Sequence, residues 1–181
     1  PLPDGTFEKF SFVNSPVMAP ELAERFPEIQ VFLGQGIDSP SSIVRFDLTP
    51  QGFHGMILGS GETIFIDPFN PGDLDKCICY TKSSFYASNE SDWVCEVDEK
   101  SDLTTPLNVG KSKEVQIMGL QKSSSSTPNG TTLRTYRLAL ACTGEYASFH
   151  GGTTYAALSA MNTTMARVNG VFEKDVCLRM I

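Results

Sequence analysis

Positive charge is scarce in this chain. Fourteen Lys and Arg stand against twenty-one Asp and Glu, a formal charge of −7. No basic stripe is available to neutralise phosphates, which argues against a nucleic-acid partner. Long apolar runs are missing too. Nothing approaches the ~20 consecutive apolar residues a spanning helix needs, so no membrane span is expected. Histidine is limited to His54 and His150. They lie too far apart for the helical H-E-x-x-H pair that sets two imidazoles on one face beside a glutamate base. His54 falls in a strand-like run and reads as an exposed or hydrogen-bonded sheet residue. His150, between Phe149 and a Gly-Gly pair, reads as a turn residue. Neither the G-x-S-x-G elbow nor the G-x-x-x-x-G-K-[ST] phosphate loop occurs. Gly34-Gln35-Gly36 has no third glycine and no long helix after it, so it reads as a turn and not a nucleotide site. Asp67, Asp73 and Asp75 lack the ligand order and closing glutamate of a calcium loop and read as a solvated turn. On its own residues the chain holds no complete active site.

Five cysteines, Cys77, Cys79, Cys95, Cys142 and Cys177, are an odd number, so at least one lacks an intrachain partner. A single residue between Cys77 and Cys79 rules out both the Cys-x-x-Cys redox motif and a zinc knuckle. Cys95 sits in Trp93-Val94-Cys95, the one apolar island of a polar stretch. It is either a disulfide partner of Cys77 or Cys79 or a buried thiol. Asn89, Asn129 and Asn162 each open a glycosylation sequon, a tripeptide common by chance. The chain starts at Pro1, so a missing signal peptide says nothing about secretion.

Hydrophobic residues make up 40 % and charged residues 19 %, ordinary for a globular protein with a real core. Thr6 to Val13 alternates as a strand does. Pro20-Glu21 opens a short helix that Pro27 ends. Ile29 to Leu33 is a short strand. Ser42 to Leu48, Gly52 to Leu58 and Thr63 to Asp67 follow as three strands. They are separated by Pro50-Gln51-Gly52 and Gly59-Ser60-Gly61, both hairpin signals, and predict an antiparallel meander. Cys77 to Lys82 adds another strand. The pattern then weakens from Ser83 to Lys113, and Glu114 to Leu120 reads as one more strand. Residues 121–132 (QKSSSSTPNGTT) are polar and flexible in composition.

After that break the pattern changes. Leu133 to Cys142 alternates, with Tyr136, Leu138, Leu140 and Cys142 on one face. A turn-rich gap follows at Phe149-His150-Gly151-Gly152. Ala157, Met161, Met165 and Val168 then fall on one helical stripe. Thr153 or Thr154 is placed to cap the helix start, and Gly170 sits where a left-handed cap belongs. Phe172 to Ile181 reads as a second strand, so Cys142 and Cys177 flank the helix and either pair or pack as small apolar residues. The fold class is α+β: a mainly antiparallel β domain at 1–122, a linker at 123–132, and an incomplete β-α-β segment at 133–181. Two strands and one helix cannot cover each other's apolar faces, so the remainder of that domain is expected beyond Ile181.

The stretch LRTYRLALACTGEYASFHGGTTYAALSAMNTTMARVNGVFEKD resembles the start of the catalytic domain in bacterial reprolysin-like zinc metallopeptidases, of the M12B or adamalysin type. PVMAPELAERFPEIQVFLGQGID and IVRFDLTPQGFHGMIL resemble the propeptide region of the same proteins. The resemblance implies a secreted, cell-surface or periplasmic zinc endopeptidase acting on proteins or peptides, made with an inhibitory and fold-assisting propeptide. It implies a metzincin-like α/β catalytic domain whose H-E-x-x-H-x-x-G-x-x-H zinc ligands lie outside this chain. The partner is then the rest of that catalytic domain, and the chain alone is inactive. In related propeptides a cysteine thiolate fills the open position on zinc, and Cys95 is the candidate here. The rival reading is a non-catalytic extracellular β-sandwich that binds or adheres to a partner.

Overall fold

The computed structural model describes residues 1–59, 61–88 and 132–181, which belong to one compact unit. The chain runs β1 (Phe10–Asn14), α1 (Pro20–Ala23), β2 (Gln30–Gly36), β3 (Ile43–Thr49), β4 (Gly52–Leu58), β5 (Ile64–Pro68), β6 (Cys77–Thr81), α2 (Lys82–Ser88), β7 (Arg134–Tyr136), α3 (Gly144–Phe149), α4 (Thr154–Val176) and β8 (Leu178–Met180). It is a mixed α+β structure.

Strands β1 to β6 form one sheet in sequence order, every neighbouring pair antiparallel. The three-strand meander read from the hairpin signals is therefore the middle of a six-strand one. Alternation gives the sheet two unlike faces. Phe12, Phe32, Phe46 and Phe53 line one of them as a ladder of rings, with centroids 5.6 Å apart from Phe12 to Phe32, 4.9 Å from Phe32 to Phe46 and 5.6 Å from Phe46 to Phe53. Val44, Ile57 and Ile66 are buried on that side, with Leu2 and Phe10 packed against them. The opposite face carries Arg45 and Asp47 from β3, paired across the ladder with Met56 and His54 of β4. Helix α4 lies on this second face. Among the described residues the sheet is backed by a helix and not by a second sheet, so the β-sandwich of the rival reading is not what they form.

Gly34 and Gly36 lie within β2 and not in a turn. Gly34 is opposite Phe12 on one side and Val44 on the other. A Cβ there would stand 2.8 Å from Val44 Cγ1 and 3.1 Å from both Phe12 Cβ and the Ser11 carbonyl oxygen. Close approach of three strands, not turn geometry, explains the glycine.

The C-terminal segment departs from expectation at both ends of its helix. Thr153 does cap α4, its hydroxyl accepting from Ala156 N–H at 3.1 Å. The helix then runs through Gly170 for another turn and a half and stops at Cys177, whose φ of +53° supplies the left-handed cap. The expected strand Phe172 to Ile181 shrinks to Leu178–Met180, because Phe172 to Val176 are helical. Gly170 is there for packing: a Cβ would come within 2.7 Å of Met56 Cε and 3.2 Å of Arg45 Cδ. The expected turn before α4 contains a six-residue helix, α3, capped by Thr143. Of the expected strand Leu133 to Cys142, only Arg134–Tyr136 is paired, parallel to β8. Leu138 N–H to the Ile181 carbonyl at 2.8 Å continues that ladder. Strand, helix and parallel strand thus occur in the expected order, but α4 rests on the meander instead of standing in a domain apart. Residues 123–131 of the expected linker, and the expected strand Glu114 to Leu120, lie outside the described residues.

Gly34→Ala is expected to destabilise the fold by about 1–3 kcal/mol, the usual cost of forcing a methyl group into filled space. Urea unfolding of the two proteins checks it; a turn glycine with negative φ would have tolerated alanine, and an unchanged midpoint would show that β2 can bow away from Val44.

Candidate functional site

Two arrangements around α4 concentrate the polar chemistry of the described residues. The first is the floor on which the helix sits. Arg45 is 2 % exposed and Asp47 1 %, and such charges stay buried only when partnered. Asp47 Oδ1 accepts from the Thr163 hydroxyl at 2.9 Å and lies 3.1 Å from His54 Nδ1. The Arg45 guanidinium forms an ion pair with Glu173 and donates to Ser15 Oγ at 3.4 Å. Burial lowers the proton affinity of Arg45, and the hydrogen bond and charge of Glu173 oppose that shift. Glu173 also accepts from Arg179 Nε at 2.5 Å. On the same face, at β5, Arg167 pairs with Asp67 at 2.5 Å and lies over the Phe65 ring at 5.2 Å. Tyr80 donates to the other oxygen of Asp67 at 2.6 Å. Burial, then the hydrogen bond and charge of Asp67, push the Tyr80 phenol up to about 12.

The helix meets this floor with a small and polar face. Thr163, Ala166 and Gly170 are buried against the floor, while the equally buried Asn162 and Asn169 face an apolar groove and β8. Of the apolar stripe, only Ala157 is buried; Met161, Met165 and Val168 are half-buried, as expected of a face that two strands and one helix do not cover.

The second arrangement is a groove of 260 Å³ on the apolar side of α4. Its walls include Leu22, Leu138, Leu140, Met161, Met165 and Met180, with Asn162 and Arg137 as polar lining. Asn162 is 4 % exposed, and neither its amide nitrogen nor its oxygen has a hydrogen-bond partner among the described residues. Its sequon is therefore buried in a helix; those at Asn89 and Asn129 lie outside the described residues.

The sequence-derived candidates scatter. His54 is the hydrogen-bonded sheet residue expected, partnered by Asp47. His150 ends α3, its ring 4.4 Å from that of Tyr146, and its carbonyl accepts from Gln51 Nε2 at 3.0 Å. Asp67 is not part of a solvated turn: it belongs to the Arg167 and Tyr80 cluster. Asp73 holds its own turn, accepting from the N–H groups of Asp75 and Lys76 at 3.0 Å each. Cys77, Cys79 and Cys142 are free thiols, so the expected alternative of a Cys142–Cys177 disulfide does not occur. Burial raises Cys79 above the usual thiol range. Cys95 lies outside the described residues. Among the described residues no three His, Cys, Asp or Glu side chains group to hold a metal, and no helix is long and apolar enough to cross a membrane. The side chains in hand thus do not fit a zinc site.

The chain matches no family model, no curated protein and no solved structure.

The buried floor was not foreseen. Part of the signal for it was present: Arg45 and Asp47 occupy alternate positions in an apolar strand, hence one face; their helix partner Glu173 was hidden in a stretch that reads as a strand.

Removing one member of a buried ion pair strands the other. Glu173→Ala should cost about 3–5 kcal/mol in urea unfolding, and adding Arg45→Met should restore a large part of it. If the double variant is no more stable than the single one, burial of an unpaired guanidinium is not the source of the loss. For Tyr80, a raised phenol constant means stability that is complete below the ordinary value of 10.0 and is lost as pH rises to about 12. Absorbance titration should show a tyrosine ionising near the upper limit, a step absent from Tyr80→Phe.

Proposed function

We propose that the chain is the propeptide, residues 1–122, and the opening β-α-β segment, residues 133–181, of a reprolysin-like zinc endopeptidase. The supporting observation is the condition of the β7–β8 pair. Parallel strands normally sit in sheets covered on both faces, yet here Tyr136 of β7 is 50 % exposed, and Leu138 and Leu140 just beyond the strand are 40 % and 49 % exposed. On this reading the missing cover is the rest of a metzincin-like catalytic domain, supplied by the same precursor or as a separate chain. The meander's part is to hold α4 in place through Asp47, Arg45 and Asp67 while that domain assembles. Localisation would be secreted, cell-surface or periplasmic, and the substrates proteins or peptides.

Zinc belongs to this proposal only through ligands outside the chain. Cys95 is the residue assigned to block it, by occupying the coordination position a water would otherwise take.

The sequence following Ile181 in the precursor tests the reading. It should encode H-E-x-x-H-x-x-G-x-x-H, and its absence removes the proposal. In such a precursor Cys95→Ser should raise peptidase activity towards a quenched fluorescent peptide. The isolated chain should cleave that peptide neither with nor without added zinc, and zinc-dependent turnover by it would contradict the assignment of the ligands.

A further inference from the structure

Two asparagines of α4, Asn162 and Asn169, stand seven residues apart, which brings them to nearly the same side of the helix two turns from each other. Asn169 has a defined task. Its Nδ2 donates to the Met180 carbonyl at 2.8 Å and its Oδ1 accepts from the Met180 N–H at 2.9 Å. One side-chain amide thus grips both polar groups of one residue in an extended strand, as a neighbouring strand would. Because Met180 lies beside Asn169 after the reversal at Cys177, β8 runs back along α4 towards Asn162. Two turns of helix span about 10.5 Å, or about three residues of extended chain. A backbone in line with β8 therefore reaches the level of Asn162 inside the groove.

Asn162 has the same chemistry and no hydrogen-bond partner among the described residues. An amide left buried and unpaired is costly, and this one lies in the wall of a concave apolar site. Methionines 161, 165 and 180 give that site walls that adapt to a side chain's shape. Arg137 lines the same groove and is in no ion pair among the described residues.

We propose that this groove binds an extended apolar peptide bearing an acidic residue, with Asn162 hydrogen-bonding one backbone unit and Arg137 meeting the carboxylate. The groove continues the packing that already seats β8, and Arg137 is complementary to the acid. The assignment stands on the groove itself and is an alternative, for this face, to cover by a catalytic domain.

The probe is the capped peptide acetyl-Val-Ile-Val-Glu-amide, titrated into the full chain while the side-chain amide resonances of Asn162 are followed. Those resonances should shift on saturation. Asn162→Leu, an exchange of similar volume, should weaken binding at least about tenfold, and so should N-methylation of the peptide's two central amides, which removes backbone donors. A Glu to Gln peptide should bind more weakly to the chain but equally to Arg137→Gln. Asn162→Leu should unfold at no lower a temperature than the parent, since it removes an unpaired buried amide. The proposal is overturned by no binding at any soluble concentration or by equal affinity of the Asn162→Leu protein. It is equally overturned if that variant unfolds earlier, which would mean the amide already has a partner.

Discussion

Arg45 and Asp47 are two charges of opposite sign on one face of a central strand, and both are closed off from water. They form no ion pair with each other: Arg45 pairs with Glu173, and Asp47 meets His54 and Thr163. Each needs a partner from above. Helix α4 supplies both, Thr163 to the carboxylate and Glu173 to the guanidinium. Ten residues separate those partners, about 15 Å of helix, so two anchored points fix how the helix crosses the strand. Directional contacts of this kind hold a register where apolar packing tolerates sliding. The placing of Gly170 follows: with the helix held down at Glu173, only a residue without a side chain fits over Met56.

Much of the sheet could be read in advance because its signals are local. Pro50-Gln51-Gly52 and Gly59-Ser60-Gly61 mark two of the hairpins, and alternation marks the strands between them. The glycines of β2 misled because glycine answers two different demands, a turn and a close approach, and the second depends on Phe12 and Val44, which are distant in sequence. The same ambiguity placed the end of α4 at Gly170, six residues early. The polar, sheet-facing side of α4 was not read from the sequence for a related reason. A hydrophobic stripe identifies a core only when the surface opposite is apolar; where that surface carries Arg45 and Asp47, the complementary helix face is polar and small. The apolar stripe was real, but it lines a groove.

The two sides of α4 consequently do different work. Towards the sheet, hydrogen bonds and ion pairs leave little choice of partner or position. Towards β7 and β8, methionine and leucine side chains impose shape loosely, and the fixed point is the amide of Asn169. Asn169 shows how a helix can act as an edge for one strand residue, which matters here because β7–β8 is a ladder of only two strands. Two-stranded ladders are marginal in water without packing from a third element, and α4 is that element.

That arrangement also sets the order of dependence between the two parts of the chain. Thr163 finds Asp47 across 116 residues of sequence and Arg167 finds Asp67 across 100. Thr163 also reaches the Ser159 carbonyl and Glu173 also pairs with Arg179 inside the C-terminal segment, but the carboxylates that meet Thr163 and Arg167 and the guanidinium of Arg45 come only with the sheet. The sheet, by contrast, is built from sequential hairpins and closes only short loops, which are entropically cheap. A formed meander offers α4 a surface with its charges already positioned. A helix formed first would expose its apolar stripe without gaining either anchor. A fold-assisting role for the N-terminal region requires this asymmetry, and it arises from the placement of two charged residues in β3.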